Sequence, residues 1–410
     1  MLDFIDPTLL SSIDLAPFLL DDSWVADVGY DLAATPSFQP YRTGLAGRLE
    51  ILNTDLEAFA HSKPLFRDSF DPIAFRCLFC VANVHELAAR FCHKRQYRYP
   101  IIHWPTFVLE EASLPLLMVI TLTGASYSYQ PKSNNKLFDT ARDFYSLADS
   151  YVSDGLTACF DHVAPSNDLT ERIQRCQAAL LMYGLITLKV SDPELQHAAL
   201  TKRLPALVSA LRYSRFTSCK HAERENWQLF LQRENMIRLV AWTFCVDCLA
   251  TLSYNQPPLF CVLELTGDLP CVPEVWEMDS TLDSDLWAAT RSPSLNCLRD
   301  LMARFLDTTG FHQVIYNLHV AMALSTQSGK LLQTLDMWAH LWTKAVAGVP
   351  SGSNSRIGVA KYVLGMEHVT RRIVEVAASE EASLSAYLQR VPSYSTQGIH
   401  EFIRVFVARA

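Results

Sequence analysis

Long hydrophobic runs are missing from this sequence. The most apolar stretches, Leu114 to Ala125 and Ala178 to Leu188, are 12 and 11 residues long, whereas a helix crossing a bilayer core needs about 20, so neither reads as a membrane span. Glycine is scarce, 14 in 410 residues, and none of it forms a loop of the kind that cradles phosphate. Alternating β-branched segments are also few, while Leu and Ala recur at three- and four-residue spacing. That pattern disfavours a sheet and points to an all-α protein with a large helical bundle. The eleven cysteines are an odd number scattered through helix-forming text, which excludes a compact disulfide framework and fits buried thiols in a reducing compartment. Met1-Leu2-Asp3 opens on an acid, with no basic stretch ahead of an apolar one, unlike a secretory leader.

Catalytic and metal-binding patterns are incomplete wherever they begin. Cys77 and Cys80 followed by His93 supply three ligands of a two-Cys two-His zinc finger, but the window for the second His holds Tyr97, Arg98 and Tyr99, and the next His is His103. Cys245 and Cys248 have no second pair at zinc spacing. His85-Glu86 lacks the second His of a metalloprotease helix, and Gly124-Ala125-Ser126-Tyr127-Ser128 lacks the glycine that a nucleophile elbow requires after its serine. Asp21-Asp22 and Asp283-Ser284-Asp285 are paired acids without the third carboxylate that magnesium and a diphosphate would need. The expectation is no catalytic residue, no metal ligand set and no cofactor in this chain, with an all-α enzyme of unknown reaction as the alternative.

Basic charge is short at one end. Residues 1–71 carry 12 acids against 4 bases, a difference equal to the net charge of -8 for the whole chain, so the remainder balances. Nothing resembles the basic stripe behind non-specific DNA affinity, and direct DNA binding by the chain as written is not expected. Residues 1–31 contain seven acids and no base. The acids are interleaved with apolar side chains, among them Phe4, Ile13, Phe18, Leu19 and Trp24. Acidic-hydrophobic alternation is the composition of disordered activation segments, which fold as a short amphipathic helix when a partner offers a groove. Two other readings stay open: a terminal helix docked on its own domain, and an ordinary linker.

The remaining text reads as helices. Residues 32–70 mix Pro, Ser, Thr and Gly and predict a linker with one short helix near Gly47 to Phe59, so residues 1–70 form a largely disordered acidic segment. The fold is expected to start at Asp71-Pro72, where an N-cap Asp precedes Pro at the first helical position, and to continue as one helix to about Lys94. Pro100 and Pro105 bias Tyr99 and Trp104 away from helical angles, predicting an extended strap that contains Ile101 and His103. The strap either packs on the core or lines a pocket. Helices are then expected near 114–127, 136–160, 168–190, 192–214, 223–254, 280–289, 293–307, 310–347, 356–378 and 397–408. Asp168 with Glu171 looks like a capping box, and Asp192-Pro193 repeats the start signal. Pro350 to Ser355 is the best internal boundary, giving a helical core over 71–349 and C-terminal helices over 350–410 that pack on it.

Two blocks are the most distinctive. One runs from Tyr99 to Tyr129 and contains Pro100, His103, Trp104, Pro105 and the small-residue helix end at Gly124. The other runs from Glu234 to Trp276 and contains Arg238, Trp242, Asp247, Asn255-Gln256-Pro257-Pro258 and Leu269-Pro270-Cys271. Glu234 stands four residues before Arg238, the favourable order for a helical ion pair. Asp247, among Phe244, Val246, Cys248 and Leu249, must sit at the edge of its face or be buried with a partner.

In their order these blocks resemble the middle homology regulatory domain of fungal transcription factors, in particular the subset whose DNA-binding module is a pair of zinc fingers. The likeness covers about Asp71 to Trp276. It implies a transcription regulator in the nucleus that controls a gene set such as a secondary-metabolite cluster, with transcription machinery or co-regulators as partners, a dimer as one arrangement, and no membrane. It also implies that Tyr99, Pro100, His103, Trp104, Pro105, Gly124, Arg238, Trp242, Asp247, Pro257, Pro258 and Trp276 form a structural signature and are not catalytic. The zinc module of the resembled proteins is not visible in this sequence. DNA contact therefore falls to a module outside it or to a partner, unless the chain acts by protein binding alone as a fingerless co-regulator.

Overall fold

The computed structural model describes residues 44–95, 100–127, 136–160, 168–190, 192–222, 225–271, 273–278, 308–347 and 363–407. The described residues are helices joined by turns, with no strand among them. Tyr99, the acidic segment with Phe4, Ile13, Phe18, Leu19 and Trp24, the helices expected over 280–289 and 293–307, and the loop at 350–355 lie outside the described residues.

By contacts the chain divides into two compact units, and the division falls inside a helix. The first unit holds the described residues up to Trp242 together with those from Gly267 to 278. It begins earlier than Asp71. Helix α1 (Gly44–Ser62) buries Leu45, Leu49, Leu52, Leu56 and Ala60 on one stripe, so the reading of 32–70 as mostly linker missed a packed element. The spacing of those leucines is helical, and α1 packs through it on its neighbours. After a short turn, α2 (Pro64–Arg67), α3 (Pro72–Leu78) starts where expected: the Asp71 carboxylate accepts from Ile73 N and Ala74 N at 2.9 and 3.0 Å. The continuous helix to Lys94 is instead broken. Phe79 leaves helical angles, its buried ring stacks on Phe75 at 4.3 Å, and α4 (Val81–Arg95) sets off at 58° to α3.

The centre of this unit is α5 (Leu114–Ser126), buried on all sides. Helices α4, α6 (Lys136–Asp143), α7 (Tyr145–Cys159) and α8 (Leu169–Lys189) surround it. A helix apolar around its whole circumference has to be enclosed in this way. Gly124 lets α4 come closest, since a Cβ there would stand 2.0 Å from the Leu87 carbonyl oxygen. The next helix follows the expected 192–214 span but contains a π turn. It runs as α9 (Pro193–Ala198), the turn Ala199–Arg203, and α10 (Leu204–Tyr213). The turn presents Arg203 to Asp149, with Nε and Nη2 donating to one carboxylate oxygen at 2.9 and 2.8 Å.

Helix α11 (Trp227–Tyr254) begins in the first unit and ends in the second. It is long and apolar enough to cross a membrane by composition alone, but 72% of its most apolar window is buried, as in a core helix. The first unit also contains the short α12 (Pro273–Trp276). The second unit joins the end of α11 and the turns after it to α13 (Thr308–Val320), α14 (Leu324–Ala347), α15 (Val363–Ala377) and α16 (Gln397–Phe402). Its core holds Phe311, Leu335, Val369, Ile373, Ile399 and Phe402. The helix expected over 310–347 is two helices. At the break Met322 takes φ 56°, Met322 N donates to His319 O and Ala323 N to Leu318 O. That is a Schellman stop built on a methionine instead of the usual glycine.

Candidate functional site

In the first unit the strap and α11 build one buried polar cluster. Ile101, Ile102, His103 and Trp104 are all buried, with His103 extended and a 3-10 turn over Trp104–Thr106. Across from it the Glu234 carboxylate, fully buried, accepts from Arg238 Nε at 2.7 Å and from Cys271 N at 2.8 Å, and faces His221 Nε2 at 2.9 Å. Arg238 Nη2 donates to Cys271 O at 2.7 Å, and the guanidinium lies over the Trp276 ring at 4.2 Å. Trp276 in turn meets the His103 ring edge to face at 4.9 Å. The other nitrogen of His221 faces Glu225 at 2.9 Å, so the ring bridges two carboxylates. Burial pushes the Glu234 carboxyl up, but the His221 bond, the Arg238 charge and the Cys271 amide outweigh it and hold the group below its usual range. A charge this deep is stable only while every partner stays in place.

The second unit holds the other carboxylate. Asp247, 1% exposed, accepts from Leu259 N at 3.0 Å, Phe260 N at 2.9 Å and Gln313 Nε2 at 2.9 Å. Of the two readings the sequence left open, the structure shows the buried one, with backbone amides and a carboxamide among its partners. Those amides belong to the turn that ends α11. Asn255 takes φ 52°, a left-handed position Asn tolerates. Its side chain donates to Tyr387 O at 2.9 Å and accepts from Arg390 at 2.9 Å. Pro257 is exposed and Pro258 half-buried, and both stiffen the return of the chain toward Asp247.

The structure thus brings Pro100, His103, Arg238 and Trp276 together, with Arg238 Nη1 3.5 Å from Pro100 O. Asp247, Pro257 and Pro258 belong to the second cluster. Trp104 packs on Phe107 at 5.2 Å and Phe91 at 6.0 Å, Pro105 is exposed, Trp242 is half-buried on α11, and Gly124 meets Leu87 on α4. Sequence reasoning missed His221, whose one signal was a Glu four residues on, and Gln177, which ties the strap to α11 by donating to Ile101 O and to Asn235 Oδ1. It also missed Gln313, for which no local pattern exists. Cys77 lies on α3 and is exposed, as is Cys80, so the Cys pair has no hairpin of the kind a finger requires. Among the described residues no three His, Cys, Asp or Glu side chains converge as a metal ligand set.

Both carboxylates, Glu234 and Asp247, fall within the residues that relate the chain to known proteins. A sequence model of the fungal specific transcription factor domain matches residues 90–340. Transcription factor verF of Penicillium polonicum is 21% identical over 326 residues, covering 70% of this chain and 44% of that protein. The chain therefore spans less than half the length of this relative. No solved structure matches.

Proposed function

Because the chain belongs to the fungal specific transcription factor domain family, we propose that it is the regulatory portion of a nuclear transcription regulator. One observation supports this most. Pro100, His103, Arg238 and Trp276, distant in sequence and all inside the matched residues, converge on a single buried ion pair. Such a cluster locks helices together and leaves regulation to the surfaces and segments that those helices carry. In this reading the chain is not an enzyme and needs no cofactor. DNA is reached through a zinc module in a longer protein or through a partner, and residues 1–31, with Phe18 and Trp24 as anchors, recruit transcription machinery or a co-regulator. The controlled gene set is a secondary-metabolite cluster.

The test is a tethering experiment with residues 1–410 fused to a heterologous DNA-binding domain. The fusion is expected to raise reporter expression, and Phe18→Ala with Trp24→Ala to remove the rise. A reporter that stays at baseline with the intact fusion, together with a fluorescent fusion excluded from nuclei, would overturn the reading. An unchanged signal in the double variant would defeat only the activation segment. Transcript profiling after gene deletion tests the targets: the expected loss is a contiguous group of biosynthetic genes, and scattered changes would refute that choice.

A further inference from the structure

Beside the Glu234 cluster, between the strap, α8 and the start of α11, lies a half-open groove of about 400 Å³, within the size range of small-molecule sites. Its walls combine two chemistries. Flat surfaces come from His103, Phe107 and Trp227, and of the five carboxamides that line it Gln174, Gln177 and Asn235 already bond Ser113, Ile101 and Leu231, while Gln228 and Gln232 present uncharged donors and acceptors. The back wall is rigid, because Gln177 is 3% exposed and its amide nitrogen is committed to Ile101 O and Asn235 Oδ1. Trp227 is half-buried and its ring stacks on Phe230 at 5.3 Å, while its indole N–H is sealed from solvent and takes no part in the groove.

The groove shares Glu111, Thr170 and Gln174 with a smaller hollow of about 290 Å³ that also reaches Asp55, Asp168 and Glu171. The two arginines of that hollow are engaged already, Arg175 with Glu171 at 2.6 Å and Arg48 with Ala112 O at 2.9 Å. The acidic border disfavours anions, and it disfavours the chain's own residues 1–31 with their seven acids.

We propose that this groove binds a flat, uncharged aromatic molecule bearing carbonyl and hydroxyl groups, with the carbonyl accepting from the Gln232 carboxamide N–H. The Gln228 carboxamide binds the hydroxyls, and the ring system lies against Trp227 and Phe107. The site is independent of the transcriptional reading, since binding is measured on the purified protein with no DNA or reporter.

The probe is 3-hydroxyflavone, whose two-band emission responds to a hydrogen bond at its carbonyl, titrated into the full chain. Saturable one-to-one binding with a shift in the band ratio is expected. Gln228→Trp, a substitution at an exposed rim position that fills the groove, should weaken binding about tenfold or more by steric exclusion. Gln232→Leu should weaken it about fivefold, the loss of one hydrogen bond, and abolish the ratio shift. Leu229→Arg, at an exposed neighbour that does not line the groove, should leave affinity unchanged. Equal affinity in Gln228→Trp and the unmodified chain overturns the proposal, as does equal loss in Leu229→Arg. It also fails if the probe does not bind while a synthetic peptide of residues 1–31 does, which would assign the groove to the chain's own terminus.

Discussion

Helix α11 carries two buried carboxylates that meet different kinds of partner. Glu234 takes the Arg238 charge, with the His221 ring and the Cys271 amide beside it. Asp247 has among its partners two successive backbone amides and the carboxamide of Gln313. Arg238 keeps its charge whether or not Glu234 is present, so losing one member leaves the other uncompensated. The amides at Leu259 and Phe260 reach Asp247 only when the Asn255 turn is folded. Glu234 therefore fastens side chains already positioned on helices, whereas Asp247 makes the end of the helix and the following turn fold together.

The largest effect expected from breaking this contrast is Arg238→Met, which keeps volume and leaves Glu234 without its guanidinium. Denaturant unfolding should show a loss of about 3–5 kcal/mol, and a loss below 1 kcal/mol would mean that His221 alone suffices. Asp247→Asn removes the charge but keeps the shape, and turns one acceptor into a donor facing a donor. Its cost should be about 1–3 kcal/mol, with faster amide exchange over 255–260 as its mark; unchanged exchange there would separate Asp247 from the turn.

Acid should sharpen the contrast between the units. Glu234 lies below its ordinary 4.5, so its ionisation contributes stability above that pH that is lost as pH falls through its folded value. His312 in the second unit is lowered by burial, and further by Arg390, from 6.5 to about 3. The unfolded chain takes up that proton first, so stability present above 6.5 drains as pH falls from 6.5 toward 3. Hydrogen exchange, corrected for its intrinsic pH dependence, should show α13 losing protection between pH 6.5 and 4.5 while residues 227–238 keep theirs. Simultaneous loss at one pH would count against this. The smallest effect is in additivity. Arg238→Met and Asp247→Asn stand nine residues apart on α11, about 13 Å by helical rise, and should add within about 0.5 kcal/mol, whereas Asp247→Asn and Asn255→Ala, both acting on one turn, should couple by more than that.

The sequence revealed what is encoded locally. Asp71, Asp168 and Asp192 each cap the helix they were expected to start, and the Glu234–Arg238 pair follows from spacing on one helix. It did not reveal stops without a punctuating residue. Phe79 breaks a helix through packing on Phe75, and Met322 ends one in a left-handed conformation, both in text that favours helix. The stripe of α1 was overlooked because Gly44, Gly47 and the prolines before them suggested linker, although Leu45, Leu49, Leu52 and Leu56 have helical spacing. The partners of Asp247 were out of reach for a different reason. Leu259 and Phe260 meet it through backbone amides, which have no sequence signature, and Gln313 comes from another helix.

The approach of α4 to α5 has a consequence for how this chain can drift. Where any other residue at position 124 carries a Cβ, glycine offers a hydrogen, placing a Cα–H against the Leu87 carbonyl. Position 124 therefore works as a gauge that passes one amino acid of the twenty. Saturation mutagenesis across α5 should show a single-letter column there beside permissive ones, because core positions accept other apolar side chains of similar volume while a backbone carbonyl cannot step aside. An alignment of functional variants would recover the spacing of these two helices from that column alone.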